Sequence, residues 1–497
     1  MKKFFVVNLL FMLSLNLLIK SFWILGIDRS VQNALPSGEY GIYYALLNFS
    51  YLFNIILDFG ITNFNNKTIA QNTFLLKKYF ARILPLKLIL AGVYVMAVFV
   101  VAFIGGYKSR AFNMLIWLCL FQIFTYFLTY FRSNISGLLL FKTDSVLSIL
   151  DKSLTIVFCS ILLWTNFLKG DFKVEYFVYV QVLSIFISCL VAFIICLTKT
   201  GFIKLAWNKA FMLAILKYGF PFALLSLLMS FYNRIDSVFL ERLLDDNGFA
   251  AGIYASGFRL VDSANMVSYL FSVILLPFFA KLIKDTKLLP ADFVGDRNKN
   301  IKDIIKISFH LLLVLSMGFV LVSFLYSNEL MTLLYNKNIE ESAVVYRILC
   351  FCFIPVSTTY IFGTLLTANG SMKKLNIVAA CGMIMNVVLN IILVPKYQQN
   401  GSAVSSLLSQ IVTAILQVWI AMKIFQIRFN AKYVTRIVSF VICLTLMAYL
   451  IYNLGMMWFY RAIITLVGII ILAFVFKVFN IKDITNFVSA GIKEKEQ

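Results

Sequence analysis

Apolar runs about 20 residues long recur along the whole chain, and they constrain its fold more than any other feature. One of them, FMLAILKYGFPFALLSLLMSFYN, occupies residues 211–233. Inside a bilayer only helices and closed barrels satisfy every backbone polar group, and a helix of this length crosses the hydrocarbon core. The runs predict fourteen spans, at about 4–26, 40–63, 81–105, 112–131, 145–168, 174–197, 211–239, 249–279, 305–327, 344–367, 375–395, 401–426, 434–453 and 457–479. We therefore expect an all-α polytopic membrane protein.

The first run has the basic start and apolar stretch of a signal peptide. It lacks a small-x-small cleavage motif, and Lys20 lies beyond its apolar part. We interpret it as a retained first helix.

Basic residues concentrate in the loops that share the side of the N-terminus. These loops hold Lys67, Lys77, Lys78 and Arg82, then Arg132 and Lys142, then Lys199, Lys204 and Lys209, then the stretch from Lys281 to Lys306, then Lys373 and Lys374, and then the stretch from Lys423 to Arg436. The opposite loops are acidic or mixed, apart from GYKSR with Lys108 and Arg110. The positive-inside bias predicts that both termini lie in the cytoplasm. The net charge of +22 then follows from topology rather than from binding nucleic acid.

A faint internal repeat organises the chain. The tripeptide Gly-Ile-Tyr begins near the start of spans two and eight, at Gly41 and Gly252, and Gly137 and Gly363 occupy similar segments after spans four and ten. Two six-span halves of equal orientation place a substrate path between them. We expect an N-lobe at 1–200, a basic linker at 201–210, a C-lobe at 211–430, two further spans at 431–480 and a cytoplasmic tail at 481–497.

Charged residues within the spans indicate a function, because charge inside hydrocarbon is costly and is seldom present without a role. Arg234 and Asp236, two residues apart, point to roughly opposite sides of span seven. Arg259 lies about 15 Å into span eight at the helical rise. It either lines a water-filled cavity or forms a closed ion pair with Asp262, which shares its helix face.

Lys20 continues a polar stripe of Asn8 and Asn16 on the first helix, and it either lines the cavity or snorkels to the interface. The other charges in or beside spans are Asp58, Asp151, Lys152 and Arg347, with Lys87 expected to snorkel to the inner surface. Lys20, Arg234 and Arg259 would together attract an anion, and Arg suits phosphate oxygens.

Several polar residues favour packing roles. Asn386 and Asn390 share a face of span eleven and are interpreted as interhelical hydrogen-bonding residues. His310, the single histidine, is expected to pack between helices, and the eight cysteines show no metal-type spacing.

Three long segments resemble a known family. KYGFPFALLSLLMSFYNRIDSVFLERLL with GIYASGFRLVDSANMVSYLFSVILLPFFAKL resembles the second-half opening of bacterial O-antigen-type polysaccharide-export flippases. LLTANGSMKKLNIVAACGMIMNVVLNIILVPKYQQNGSAVSSLLSQ resembles their spans ten to twelve. These flippases belong to the multidrug/oligosaccharidyl-lipid/polysaccharide exporter superfamily, and the resemblance covers most of residues 1–430.

The resemblance implies a two-lobed bundle that alternates between inward- and outward-facing states. Its cargo would be a polyprenyl-diphosphate-linked oligosaccharide for O-antigen (lipopolysaccharide), capsule or exopolysaccharide synthesis, handed on to polysaccharide polymerase machinery. Lys20, Arg234 and Arg259 match the family's cationic cavity, while Asp236 and Asp262 dilute its charge and the last two spans exceed the twelve of many relatives. No cofactor is implied, and coupling to H⁺ or Na⁺ stays open, with Asp58, Asp151, Lys152, Asp236, Asp262 and Arg347 as cavity or coupling residues.

Two alternatives remain from the sequence. A cation-coupled multidrug exporter of the same superfamily would need buried acids in the first half, where Asp58 and Asp151 are offset by Lys20 and Lys152. A membrane-embedded polymerase or ligase would need a large outer loop or a partnered His, and the outer loops here are short. We therefore expect a transporter rather than an enzyme.

Overall fold

The structure is a computed structural model that describes residues 16, 18–138, 140–165, 172–201, 204–288, 294–427 and 430–478. Its regular elements within these ranges are helices, as the apolar runs predict. The helices are α1 Arg29–Ala34, α2 Ser37–Leu52, α3 Ile61–Gln71, α4 Leu76–Ile104, α5 Ser109–Gly137, α6 Phe141–Trp164, α7 Val174–Thr200, α8 Lys209–Leu243, α9 Phe249–Leu288, α10 Val294–Leu325, α11 Ser327–Leu334, α12 Ile339–Leu349, α13 Phe353–Ala368, α14 Met372–Phe425, α15 Ala431–Tyr452 and α16 Trp458–Val475. The predicted first span lies mostly outside the described residues, as does the predicted tail.

Ten helical segments among the described residues are long and apolar enough to cross a membrane. They correspond to the predicted spans except in three regions. The second span is broken, and the eleventh and twelfth lie within the single 54-residue α14. The eighth lies in the 40-residue α9, which carries Arg259 and Asp262 and is not one of these ten segments. The prediction of an all-α polytopic membrane protein is confirmed.

The second predicted span breaks between α2 and α3. A short 3₁₀ turn, Asn54–Leu57, follows α2, and the chain then takes left-handed backbone angles at Phe59 and Gly60. Asp58 accepts hydrogen bonds from the backbone N–H and the hydroxyl of Thr62, which stabilises the start of α3. The break therefore divides one apolar run into two shorter helices.

The helix α14 folds back on itself at Gln398, whose backbone is not helical. Asn390 donates to the carbonyl oxygen of Asn386 at 2.9 Å and accepts from Ser402 Oγ at 2.9 Å, across the bend. Asn386 Nδ2 also donates to Ser409 Oγ at 3.4 Å. Both asparagines are fully buried, so the predicted interhelical hydrogen-bonding role is confirmed.

The chain divides into two compact units, Met1–Gly252 and Ile253–Gln497. In the first unit α5 packs on α7 and α3, α2 packs on α8, and α6 packs on α7. In the second unit α13 packs on α14 and α10. The lobe boundaries expected from the repeat, and the repeat itself, stay predictions.

The last two helices pack on the second unit through an apolar cluster. α15 and α16 pack on each other and on α10. Val314 of α10, Phe440 and Leu444 of α15 and Ile469 of α16 are buried together in this cluster. Apolar packing between these side chains therefore joins α15 and α16 to α10.

Candidate functional site

Charged side chains of three helical segments meet in the first unit. Asn16, on the first described turn of helix, donates from Nδ2 to Ser148 Oγ of α6 at 2.8 Å. This bond holds the helix that carries Lys20 against α6, where Asp151 and Lys152 lie. The charges of Asp151, Lys152 and Arg132 all act on Lys20. We call Lys20, Arg132, Asp144, Asp151 and Lys152 the N-terminal charge cluster.

Most members of the N-terminal charge cluster are paired. Arg132 Nε donates to Asp144 Oδ1 at 2.7 Å, and Lys152 Nζ lies 3.3 Å from Asp151 Oδ2. Lys152 also lies over the Trp23 ring, 4.5 Å from its centroid. Within the described part of the chain, the half-buried Lys20 makes no hydrogen bond and no ion pair. Three cations against two carboxylates leave a surplus positive charge, which favours binding an anion here.

Arg234 and Asp236 lie on α8 in the same unit, in different environments. Arg234 is half-buried, and its guanidinium carbon lies 5.4 Å from the centroid of the Tyr51 ring on α2. Asp236 is 1% exposed. Its neighbour Ser237 accepts a hydrogen bond from Asn48 Nδ2 of α2 at 2.9 Å. Arg234 is thus the more accessible of the two charges.

The remaining predicted residues of the cavity lie in the second unit. Arg259 is 8% exposed on α9, and Asp262 is half-buried one turn further along the helix. Arg347, near the end of α12, donates from Nε to Ser327 Oγ at 2.5 Å and so ties α12 to the start of α11. The convergence of Lys20, Arg234 and Arg259 on one cavity stays a prediction.

Asp58 forms an ion pair with Lys87, which we expected from the sequence at the inner surface of the membrane. Lys87 does not snorkel to the surface: it is 1% exposed, and its Nζ lies 2.6 Å from Asp58 Oδ1. The same ammonium donates to the carbonyl oxygen of Leu57 at 3.1 Å, at the break between α2 and α3. The expectation of snorkelling is wrong because a carboxylate and a freed carbonyl group lie within reach inside the unit.

One buried carboxylate, Asp28, is not among the residues predicted from the sequence. Asp28 ends a π-helical turn, Trp23–Asp28, and is 1% exposed. The hydroxyl of Tyr40 donates to Asp28 Oδ2 at 2.9 Å. The predicted first span ends at residue 26 and so excludes Asp28. The signal available in the sequence was the position of Asp28 directly after an apolar run. The π-helical turn that it ends is a structural signal, since π-turns within helices often mark functional sites.

Comparison with known proteins supplies a family and a fold. Residues 30–283, just over half of the chain, match the family described as polysaccharide biosynthesis protein. The capsular polysaccharide biosynthesis protein CapF of Staphylococcus aureus is 25% identical over 249 residues, which are 49% of this chain and 60% of CapF. The match thus spans less than two-thirds of the length of that curated relative.

Two kinds of solved transporter share the architecture. The lipid II flippase MurJ in an inward closed conformation superposes with a TM-score of 0.67 at 13% identity, covering 92% of this chain and 97% of MurJ. An inward-facing multidrug resistance MATE family transporter of the MOP superfamily superposes with a TM-score of 0.63 at 14% identity, covering 81% of this chain and 94% of that one. At such identities the likeness shows the fold alone. This chain has the membrane transporter fold of MurJ and the MATE proteins, and it belongs to the polysaccharide biosynthesis protein family.

Proposed function

We propose that this protein is an alternating-access flippase for polyprenyl-diphosphate-linked oligosaccharide. It moves this cargo from the cytoplasmic to the outer leaflet of the inner membrane, where polymerase machinery assembles a surface polysaccharide such as capsule, O-antigen or exopolysaccharide. Family membership supports a role in polysaccharide synthesis, and the fold supports transport. The capsular role in the name of CapF favours capsule as the product.

The surplus positive charge of the N-terminal charge cluster is the observation that carries this proposal. Lys20 is half-buried beside two ion pairs and makes none itself among the described residues. A diphosphate headgroup must leave water to cross the membrane, and a cation in a polar pocket replaces part of its hydration. Arg234 and Arg259 are proposed as the further cations that contact the headgroup. An inside-negative potential favours outward movement by about 2.3 kcal/mol per negative charge per 100 mV.

The test measures lipid-linked oligosaccharides by mass spectrometry in cells lacking the protein, with an outer-face glycosidase to assign the leaflet. The cells are complemented with wild type, Lys20→Gln, Lys20→Arg or Lys78→Gln. Lys78 is an exposed lysine of the same unit and serves as the matched control. We expect protected, inward-facing oligosaccharide to accumulate in the deletion strain and with Lys20→Gln, but not with Lys20→Arg or Lys78→Gln.

Two other outcomes would contradict the proposal. Unpolymerised repeat units on the outer face would place the protein after translocation, as a polymerase or ligase. Unchanged lipid-linked sugars in the deletion strain would exclude a role in their transport.

A cation-coupled multidrug exporter is the second candidate, and Asp28 is the observation that favours it. A carboxylate that is 1% exposed within a membrane bundle suits binding of H⁺ or Na⁺. Asp58 is half-buried in the same unit, but its ion pair with Lys87 makes it a poorer candidate for coupling. Loss of drug resistance in both the deletion strain and Asp28→Asn, with normal surface polysaccharide, would support this function over the flippase.

A further inference from the structure

A cavity of about 690 Å³ lies within the second unit, apart from the charges discussed above. Residues of α10, α13, α14 and α15 line it. Its wall is mostly apolar and includes Ile354 and Pro355 of α13 and Ile411, Ile415 and Trp419 of α14. We call it the basic-ended cavity, because Lys302 and Lys306 of α10 line one part of it.

The basic end is formed by residues of α10 and of the start of α15. Lys302 and Lys306 are four residues apart and so share a face of α10. Tyr433, at the start of α15, lines the cavity, and Lys306 Nζ lies 6.0 Å from the centroid of its ring. The Tyr433 hydroxyl and His310 Nε2 are 2.9 Å apart, and their rings stack, which orients the tyrosine and confirms the predicted packing role of His310.

The charge of this end has one sign among the described lining residues, which include no carboxylate. Lys302 and Lys306 lie in the stretch from Lys281 to Lys306, which the positive-inside bias assigns to the cytoplasm. Asn430 and Tyr433 lie in the stretch from Lys423 to Arg436, which the bias assigns to the same side. The basic end therefore lies at the predicted cytoplasmic interface. Anionic lipids give the cytoplasmic leaflet a negative surface potential.

Part of the apolar wall is exposed at the surface of the protein. Ile415 and Trp419 are 61% and 59% exposed, and with Ile411 they repeat at intervals of four residues along α14. These side chains both line the cavity and face outward from the unit. A chain lying in the bilayer can therefore enter the cavity sideways without crossing a polar surface.

We propose that the basic-ended cavity binds an anionic phospholipid of the cytoplasmic leaflet. The phosphate lies at Lys302 and Lys306, with the side-chain amide of Asn430 available as a hydrogen-bond donor, and an acyl chain lies along Ile354, Ile411 and Ile415. A soluble anion would use the lysines but not the apolar wall, and an uncharged lipid would use the wall but not the lysines. Basic pockets between transmembrane helices on the cytoplasmic side commonly hold anionic headgroups. This site is independent of the proposed cargo.

The test is native mass spectrometry of the full-length protein in detergent, titrated with phosphatidylglycerol or phosphatidylethanolamine. We expect preferential binding of phosphatidylglycerol, weakened at least about tenfold in the double variant Lys302→Gln/Lys306→Gln. The matched control is Lys373→Gln/Lys374→Gln, which removes two exposed lysines from the same unit and the same predicted side. This control should bind like wild type.

A second pair of variants tests the acyl chain. Ile415→Trp narrows the opening at an exposed position and should weaken binding severalfold, whereas Ile442→Trp, 52% exposed on α15 and outside the cavity lining, should not. Thermal unfolding of each variant without added lipid checks that it is folded.

Three results would overturn binding of an anionic headgroup at the lysines. They are equal binding of the two lipids, unchanged binding in the lysine double variant, and displacement of the lipid by inorganic phosphate at similar concentration. Unchanged binding in Ile415→Trp would equally exclude a chain in the cavity. No saccharide is present, so these outcomes leave the flippase proposal unaffected.

Discussion

At the scale of single residues, what distinguishes the buried charges of the first unit is whether they have a partner. Lys87 and Asp58 form an ion pair, and the ammonium also bonds the Leu57 carbonyl oxygen. Attraction between the two charges and this extra hydrogen bond offset the cost of removing them from water. Lys20 has no such partner in the described part of the chain, which suits it to a ligand rather than to structure.

Replacing Lys87 by Met should destabilise the protein strongly. The substitution leaves the Asp58 carboxylate without its cation, a loss of about 3–5 kcal/mol for a broken buried pair. The measurement is the midpoint of thermal unfolding in detergent. Lys78→Met, at an exposed position on the same helix α4, is the control and should change the midpoint little.

The double variant Lys87→Met/Asp58→Asn removes both charges and should recover much of the lost stability. Equal effects of Lys87→Met and Lys78→Met would show that the pair contributes nothing to the fold.

Arg110 also pairs with carboxylates, on the predicted outer side. It donates two hydrogen bonds to the carboxylate of Glu39, at 2.7 and 2.6 Å, and also bonds Glu175. It thus links the starts of α2, α5 and α7. This structural role explains why a basic residue occurs in a loop that the positive-inside bias assigns to the outside.

At the scale of elements, the break between α2 and α3 is formed by its contacts with other helices. Lys87 of α4 bonds the break, and α8 approaches it at Gly219. A Cβ atom on Gly219 would overlap the carbonyl oxygen of Phe59. The close approach of α8 therefore depends on the absence of a side chain at this position.

Gly219→Ala should lower stability by about 1–3 kcal/mol, the usual cost of overpacking a tight contact. Size-exclusion profiles and thermal midpoints of the purified variant measure the effect. Gly92→Ala adds the same methyl group to α4 where nothing lies within 4 Å, and it should be neutral. A Gly219→Ala protein as stable as Gly92→Ala would mean that α8 shifts freely.

The bend in α14 gives a second prediction at this scale. Asn390→Ala removes the bond with Ser402 across the bend and the bond to Asn386 within the same half of α14, and each such bond within a membrane contributes about 0.6–1.7 kcal/mol. We expect a lower thermal midpoint for Asn390→Ala than for Ile391→Ala, whose side chain is 52% exposed on the same helix. The reverse order would show that apolar packing alone holds the two halves together.

At the scale of the whole molecule, orientation in the membrane is still a prediction from charge. Lys374 belongs to a loop assigned to the cytoplasm and Lys108 to one assigned to the outside, and both are exposed. A membrane-impermeant maleimide should label Lys108→Cys in intact cells and Lys374→Cys only after permeabilisation. Six of the eight native cysteines are buried, so unmodified protein is a suitable background control. The opposite labelling pattern would invert the proposed direction of transport.

Much of this architecture was predictable from the sequence. The apolar runs predicted most of the long helices, and Asn386 and Asn390, fifteen and eleven residues before Gly401, were interpreted correctly as packing residues. Asp28 was missed, because a pattern of hydrophobicity places the end of a span only to within a few residues. The snorkelling expected for Lys87 was wrong, because sequence gives its distance from the interface but not its neighbours.

The sequence by itself determined that this is an all-helical membrane protein, because in hydrocarbon the length and composition of each apolar run decide whether it forms a spanning helix. It also indicated several of the charges that lie within the bundle. Only the tertiary structure decided which of those charges are paired. Asp58 meets Lys87 from 29 residues away, and Arg132 of α5 meets Asp144 of α6, while Lys20 lies beside two completed pairs. Electrostatic energy depends on distance in space, and distance in space is set by how the helices pack.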